Sequence, residues 1–226
     1  MAFKLLLCDV DDTLLDFEQE EHRALTKTFE AFGVAPTPAN LEVYLTINRA
    51  LWQALERGET TQAQLKVERW RRFADAMELN ASAQALSDYY ADSLASDACP
   101  LPGAIDFLKA VSARMPIYLV TNGITSIQRG RFAHSGFAPF IAGLLISQEI
   151  GAAKPDPAML LMAMEKAGVS PAETAMLGDN AFSDMGAAKN AGVAGIHFTW
   201  KKPCPGCPAA YHVETLAQAQ AILLGD

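Results

Sequence analysis

Basic residues are scarce in this 226-residue chain: 18 Lys and Arg stand against 26 Asp and Glu, a formal net charge of −8. Binding a phosphate backbone needs clustered Lys and Arg, so the balance argues against nucleic acid as a partner. An anionic ligand would have to be drawn in by local charge or a metal rather than by the overall field. Only four cysteines are present, too few for a disulfide framework, and a reduced, cytoplasmic protein is expected. No apolar run approaches the ~20 residues of a membrane span. Phe3–Val10 is too short for a secretory segment and runs straight into acidic residues. The four histidines (His22, His134, His197, His212) have no spacing that suggests a triad or a metal site. There is no P-loop and no G-x-S-x-G elbow. Cys204-Pro205-Gly206-Cys207 has metal-ligand spacing, but structural zinc needs four ligands and no second pair lies nearby. A reducible turn is the expected reading there.

What is present is an ordinary globular composition, 50% hydrophobic and 19% charged, enough for one sizeable core and a smaller second domain. Short apolar runs recur: Phe3–Val10, Ile117–Val120, Leu144–Ile146, Ala175–Leu177 and Gly195–Phe198. Continuous apolarity suits strands buried on both faces, as in a parallel sheet. Helix-like stretches lie between them. Asp156-Pro157 reads as an N-cap followed by a first-turn proline, and that helix should stop near Gly168. Another runs from about Ser183 to Ala191, before Gly192. The alternation predicts an α/β, doubly wound (Rossmann-like) parallel-sheet core over residues 1–16 and 99–226.

Residues 17–98 break the pattern and predict an inserted all-helical cap domain, with helices at Glu18–Phe32, Leu41–Arg57, Gln62–Met77 and Ala83–Leu94. Thr61 and Gln64 have capping-box spacing. Pro100-Leu101-Pro102-Gly103 reads as the return linker. Lys66, Arg69, Arg71 and Arg72 on one cap helix read as a solvated face.

Ligands of open α/β sheets bind outside the carboxyl ends of the strands, so the strand exits are the positions to inspect. The first strand leaves into Asp9-Val10-Asp11-Asp12-Thr13. Such crowded carboxylates repel one another, which a bound cation would relieve, and oxygen ligands suit Mg²⁺. The bland alternative is a solvated acidic turn with Asp12 capping a helix. The second strand leaves into Thr121-Asn122-Gly123, a plausible phosphate cradle or merely an Asn-Gly turn. Lys154-Pro155 follows the third strand; that lysine either offsets charge in the site or sits exposed on the surface. The fourth strand leaves into Gly178-Asp179-Asn180-Ala181-Phe182-Ser183-Asp184, another pair of carboxylates.

In that order, DVDDT, TNG, KP and GDNAFSD resemble the four motifs of the haloacid-dehalogenase-like superfamily, and the likeness covers nearly the whole chain. The resemblance implies a Mg²⁺-dependent phosphatase with Asp9 as nucleophile. Asp9, the backbone carbonyl of Asp11 and Asp179 would hold the metal. Lys154 would neutralise charge beside Asp9, Thr121 and Asn122 would bind the phosphate oxygens, and Asp184 would orient the metal's water shell or Lys154. Asp11 would serve as general acid and then base. Expelling halide needs no proton, so an acid at Asp11 argues against dehalogenation.

Leu45–Trp70, Ser147–Pro155 and Leu101-Pro102-Gly103-Ala104 further resemble bacterial pyrimidine 5′-nucleotidases acting on dUMP, dTMP or UMP. A nucleobase wants an aromatic face and amide donors, which makes Phe17, Asn48 and Trp52 the candidates, with cap packing as the alternative for Trp52. The expected partner is a small phosphate ester, and the chain a monomer or dimer. Other readings are a phosphatase of phosphoglycolate-like acids or sugar phosphates, a phosphosugar mutase, or a non-catalytic module phosphorylated on aspartate.

Overall fold

The computed structural model describes residues 3–200 and 206–225. Its elements, in chain order, are β1 (Leu5–Cys8), α1 (Phe17–Ala31), α2 (Pro38–Glu56), α3 (Gln62–Ala76) and α4 (Ala83–Ala95). There follow α5 (Ala104–Ser112), β2 (Ile117–Thr121), α6 (Thr125–His134), β3 (Gly143–Ile146), α7 (Ser147–Ile150) and α8 (Ala158–Ala167). The chain closes with β4 (Thr174–Gly178), α9 (Asp184–Ala191), β5 (Ala194–Phe198), β6 (Tyr211–Val213) and α10 (Leu216–Leu224). Among the described residues no helix is long and apolar enough to cross a membrane.

The strands form one parallel sheet in the order β3-β2-β1-β4-β5-β6, so the α/β doubly wound expectation is met. The four central strands β1, β2, β4 and β5 are mostly apolar because both faces of the sheet are covered there. Leu6, Cys8, Leu119, Ala175 and Leu177 pack on the side of α5 and α10, against Phe107, Leu108, Val111, Leu216 and Leu223. Leu5, Leu7, Val120 and Met176 point the other way, toward Met159, Leu160 and Ala163 of α8 and Met185 and Ala188 of α9. The two-residue alternation of a strand thus feeds two cores from one run of residues.

Some boundaries shift. The first strand is shorter than the apolar run Phe3–Val10, because pairing stops where the chain turns into the acidic loop. The helix expected after Asp156 starts at Ala158, with Pro157 at the cap position; Asp156 Oδ1 still accepts the Ala158 N–H at 2.8 Å. The last strand, Tyr211–Val213, is short and partly exposed, and only its pairing with β5 defines it. Cys204 lies outside the described residues, and Cys207 is buried.

The chain divides into two compact units: one up to Phe17 together with everything from Ala98 onward, the other Glu18–Asp97. The second is all helical. Thr61 and Gln64 make the capping box that opens α3. Its interior is aromatic: Phe29 stacks on Phe73 at 4.7 Å, and Tyr44 meets Trp70 at 4.6 Å. Arg69 corrects the solvated-face reading. It is 3% exposed, because it shares the inward stripe of α3 with Leu65, Trp70 and Phe73, whereas Arg71 and Arg72 point outward. Its Nη1 donates to Asn48 Oδ1 (3.2 Å), whose Nδ2 donates to Glu21 Oε1 (3.1 Å). Tyr90 completes this internal chain, donating to Glu21 (3.3 Å) under the Arg69 guanidinium.

The packing makes a stability prediction. Leu177→Ala, at a fully buried position, should lose about 2–5 kcal/mol in urea unfolding. Leu161→Ala, at a position 48% exposed, should stay within about 0.5 kcal/mol.

Candidate active site

Strand order reverses between β1 and β4, since β2 follows β1 on one side and β5 follows β4 on the other. Loops leaving the sheet at such a point diverge, opening a crevice at the carboxyl ends of the two strands. Asp9 leaves β1 there, its N–H bonded to the Leu177 carbonyl of β4 at 2.9 Å. Asp179 leaves β4 beside it, and Asp184 opens α9.

Lys154 ties these groups together. It reaches in from the loop after α7 and is 5% exposed. Its Nζ lies 2.5 Å from Asp9 Oδ1 and 2.7 Å from Asp184 Oδ1, and donates to the Val120 carbonyl at 2.8 Å. The surface-lysine alternative is therefore excluded. Burial alone would lower the lysine's pKa, but the Asp184 and Asp9 carboxylates more than offset it and hold the ammonium above its ordinary value. Burial pushes the Asp9 carboxyl well above the carboxylate range; Lys154 pulls against this, while Asp184, Asp179 and Asp11 add to it. Burial is the main push on Asp9 and the carboxylates are what raise Lys154; in both cases several carboxylates crowd one buried cation. The site therefore favours a further positive charge.

The donor set fits a metal ion. Asp9, Asp179 and Asp184 can each offer a carboxylate oxygen, and these atoms lie within 4.8 Å of one another. All are hard oxygen donors, the kind that small divalent cations prefer. The carboxylate of Asp11 is not in this group, so its expected share in a metal site could come only through its backbone carbonyl. Asp184, expected to orient the metal's water shell or Lys154, lies within the group and against Lys154.

Local sequence explains the placements. Gly178 precedes Asp179 because a Cβ there would come within 2.3 Å of Asp184 Oδ2; only glycine lets that carboxylate lie against the strand end. Asp184 Oδ2 also accepts the Asn180 N–H at 3.0 Å. His197, fully buried on β5, has Nε2 2.9 Å from the Asp179 carbonyl. Strand register then sets His212 beside it, Nδ1 to Nδ1 at 3.4 Å. Two histidines 15 positions apart are thus neighbours through β5–β6 pairing, which sequence spacing did not reveal. Asp12 does not cap a helix; it takes a left-handed conformation (φ 55°) and its carbonyl accepts Trp200 Nε1–H at 2.9 Å.

Thr121 is buried at the end of β2, and its Oγ1 accepts the Gly123 N–H at 3.2 Å. The Asn122 side chain turns to Lys154. Its Oδ1 accepts the Lys154 N–H (2.8 Å) and its Nδ2 donates to the Lys154 carbonyl (2.9 Å), clamping the lysine's backbone at both ends.

Asp11 stands apart. Its Oδ2 accepts a hydrogen bond from Gln128 Nε2 at 2.8 Å, and its Oδ1 pairs with Arg131 Nη1. Neither partner was singled out in the sequence. The available signal was a polar pair three apart on a helix entering right after Thr-Asn-Gly, with no way to see that it faces a loop over a hundred residues earlier. Phe17 is half-buried, and the Arg131 guanidinium sits 5.3 Å from its ring centre, so one aromatic face is occupied. Asn48 is buried, and its amide is engaged at both ends inside the helical unit, with Glu21 and with Arg69. Trp52 remains half-exposed.

Comparison with known proteins agrees with this geometry. The haloacid dehalogenase-like hydrolase family matches residues 3–192. The chain is 35% identical to the pyrimidine 5′-nucleotidase PynA of Streptococcus pneumoniae, over 97% of its own length and 90% of that protein. It is 31% identical to the pyrimidine 5′-nucleotidase YjjG of Escherichia coli, over 86% and 85% of the two chains. Its fold superposes on the crystal structure of the HAD-hydrolase YfnB of Bacillus subtilis, a magnesium-bound form, with a TM-score of 0.91 at 28% identity over 99% of each chain. The chain belongs to the haloacid dehalogenase-like hydrolase family, as a phosphoric monoester hydrolase.

Proposed function

We propose that this enzyme is a Mg²⁺-dependent phosphatase of pyrimidine nucleoside 5′-monophosphates (dUMP, dTMP or UMP) that works through a phospho-aspartate on Asp9. The observation that carries the chemistry is the buried Asp9 carboxylate 2.5 Å from Lys154, within a group of oxygen donors that needs a cation. The nucleotide assignment is supported by the two pyrimidine 5′-nucleotidases above, whose alignments cover 97% and 86% of this chain.

Asp9 attacks phosphorus. As the new Oδ–P bond forms, the P–O bond to the nucleoside breaks and its electron pair goes to the leaving oxygen. Asp11, in its carboxylic acid form, gives that oxygen a proton. In the second step Asp11, now a carboxylate, takes a proton from water as the water oxygen attacks phosphorus. The Asp9–P bond breaks, and Asp9 is regenerated with inorganic phosphate.

Asp9, the Asp11 backbone carbonyl and Asp179 would hold Mg²⁺, with Asp184 beside them; the ion when bound offsets the repulsion between carboxylate and phosphate. Lys154 neutralises further charge on the transferring group. The hydroxyl hydrogen of Thr121 is directed to a phosphate oxygen, while Asn122 acts by holding Lys154 in place. Selection among esters is assigned to the helical unit, with Trp52 as its half-exposed aromatic face.

Phosphate release across nucleoside monophosphates, sugar phosphates and phospho-acids tests the substrate. The expected order has dUMP, dTMP or UMP first; a lead by phosphoglycolate or a sugar phosphate would remove the nucleotide assignment and leave the core chemistry standing. Asp9→Asn should lower turnover by at least about 10³-fold, since the nucleophile is lost. Survival of activity in that variant would overturn the mechanism. Chelation should abolish turnover and added Mg²⁺ restore it; unaltered turnover after chelation would remove the metal from the proposal.

A further inference from the structure

The geometry points to Gln128 and Arg131 as positioning residues for Asp11, which set the direction in which it gives and takes its proton. This rests on the reading of Asp11 as acid and base.

Both residues lie on α6, three positions apart, and so share one face of that helix. Both are buried, Gln128 at 4% and Arg131 at 0% exposure. Each takes a different oxygen of the same carboxylate. Gln128 Nε2 donates to Oδ2 at 2.8 Å, and Arg131 Nη1 pairs with Oδ1. One donor would leave the carboxylate free to rotate about its terminal torsion. Two donors on two oxygens fix its plane, a torsion that is otherwise broad.

The grip is itself built. A Cβ at residue 123 would come 2.3 Å from Gln128 Nε2, so Gly123 is what lets the amide lie across the end of β2. The Arg131 guanidinium is backed by the Phe17 ring at 5.3 Å. Gly123 therefore serves two neighbours, the turn after β2 and the approach of Gln128 to Asp11.

The two partners of this ion pair are not equally buried: the Arg131 side chain is fully buried, whereas the Asp11 side chain is 31% exposed. The carboxylate is held on one side and open on the other, which is what a group that exchanges protons with a leaving oxygen and with water requires. α6 also starts directly after Thr121-Asn122-Gly123. One helix thus links the strand end that meets the phosphate to the group that protonates the ester oxygen.

The test compares two kinds of leaving group. Expelling an alkoxide requires the proton from Asp11; expelling p-nitrophenolate does not, but hydrolysis of the phospho-Asp9 that follows still requires Asp11 as base. Gln128→Met keeps volume and removes the donor. On the best alkyl monoester of the panel its kcat should fall about 10–100-fold with KM within about threefold, as expected for a misplaced catalytic group. With p-nitrophenyl phosphate it should release a burst of nitrophenolate close to one equivalent of enzyme, then turn over slowly. Arg131→Lys, which keeps the charge but loses the planar fork, should show the same pattern. Equal loss on both esters without a burst, or no loss on either, would overturn the proposal. Asp11→Asn runs alongside: if it too lacks the burst and the leaving-group dependence, the acid–base reading falls and this inference with it. If Asp11→Asn shows both and Gln128→Met and Arg131→Lys show neither, only the positioning role falls.

Discussion

One lysine faces more carboxylate than it can neutralise, and much of the core is arranged around that imbalance. Lys154 is buried between Asp9 and Asp184, with Asp179 close by. Burying these charges is costly unless each is paired and hydrogen-bonded. The surrounding residues meet that requirement one by one. Asn122 clamps the lysine's backbone, Val120 accepts from its ammonium, Gly178 makes room for Asp184, and His197 holds the carbonyl of Asp179. What they leave unmet is the net negative charge, which the proposed divalent cation would satisfy while also drawing a phosphate ester toward Asp9.

The parallel sheet makes this concentration possible. Its strands all present their carboxyl ends on one edge, so residues far apart in sequence converge without any special loop. Asp9 and Lys154 are 145 positions apart and in direct contact. The two flanking cores hold the strand ends rigid, and rigidity is what a constellation of buried charges needs to keep its geometry.

The helical unit is built differently. Its interior combines an aromatic cluster with a buried polar chain, Tyr90–Glu21–Asn48–Arg69. The bonds of that chain are all made within the unit, while Arg69 Nε and Nη2 are buried without a hydrogen-bond partner among the described residues. Asn48, the polar residue assigned to a nucleobase, is here bonded to Glu21 and Arg69, while Trp52 is half-exposed.

Much of this was legible in the sequence. Continuous apolar runs announced buried parallel strands, helical periodicity announced the inserted unit, and carboxylates at strand exits announced the site, because each depends on local pattern. The pairing of Lys154 with Asp9 followed from motif order. Three things did not. Arg69 is buried because of which stripe of α3 faces inward, which charge counting along the helix does not show. His197 and His212 meet through β5–β6 register, and Gln128 and Arg131 meet Asp11 because their side chains reach from α6 to the loop that follows β1. By itself the sequence determined the elements, their order and the chemical types at the strand ends. Only the tertiary structure decided which side chains are paired and which are left facing outward, because hydrogen bonds between distant residues are set by strand register and helix rotation, and neither is written in any local stretch of chain.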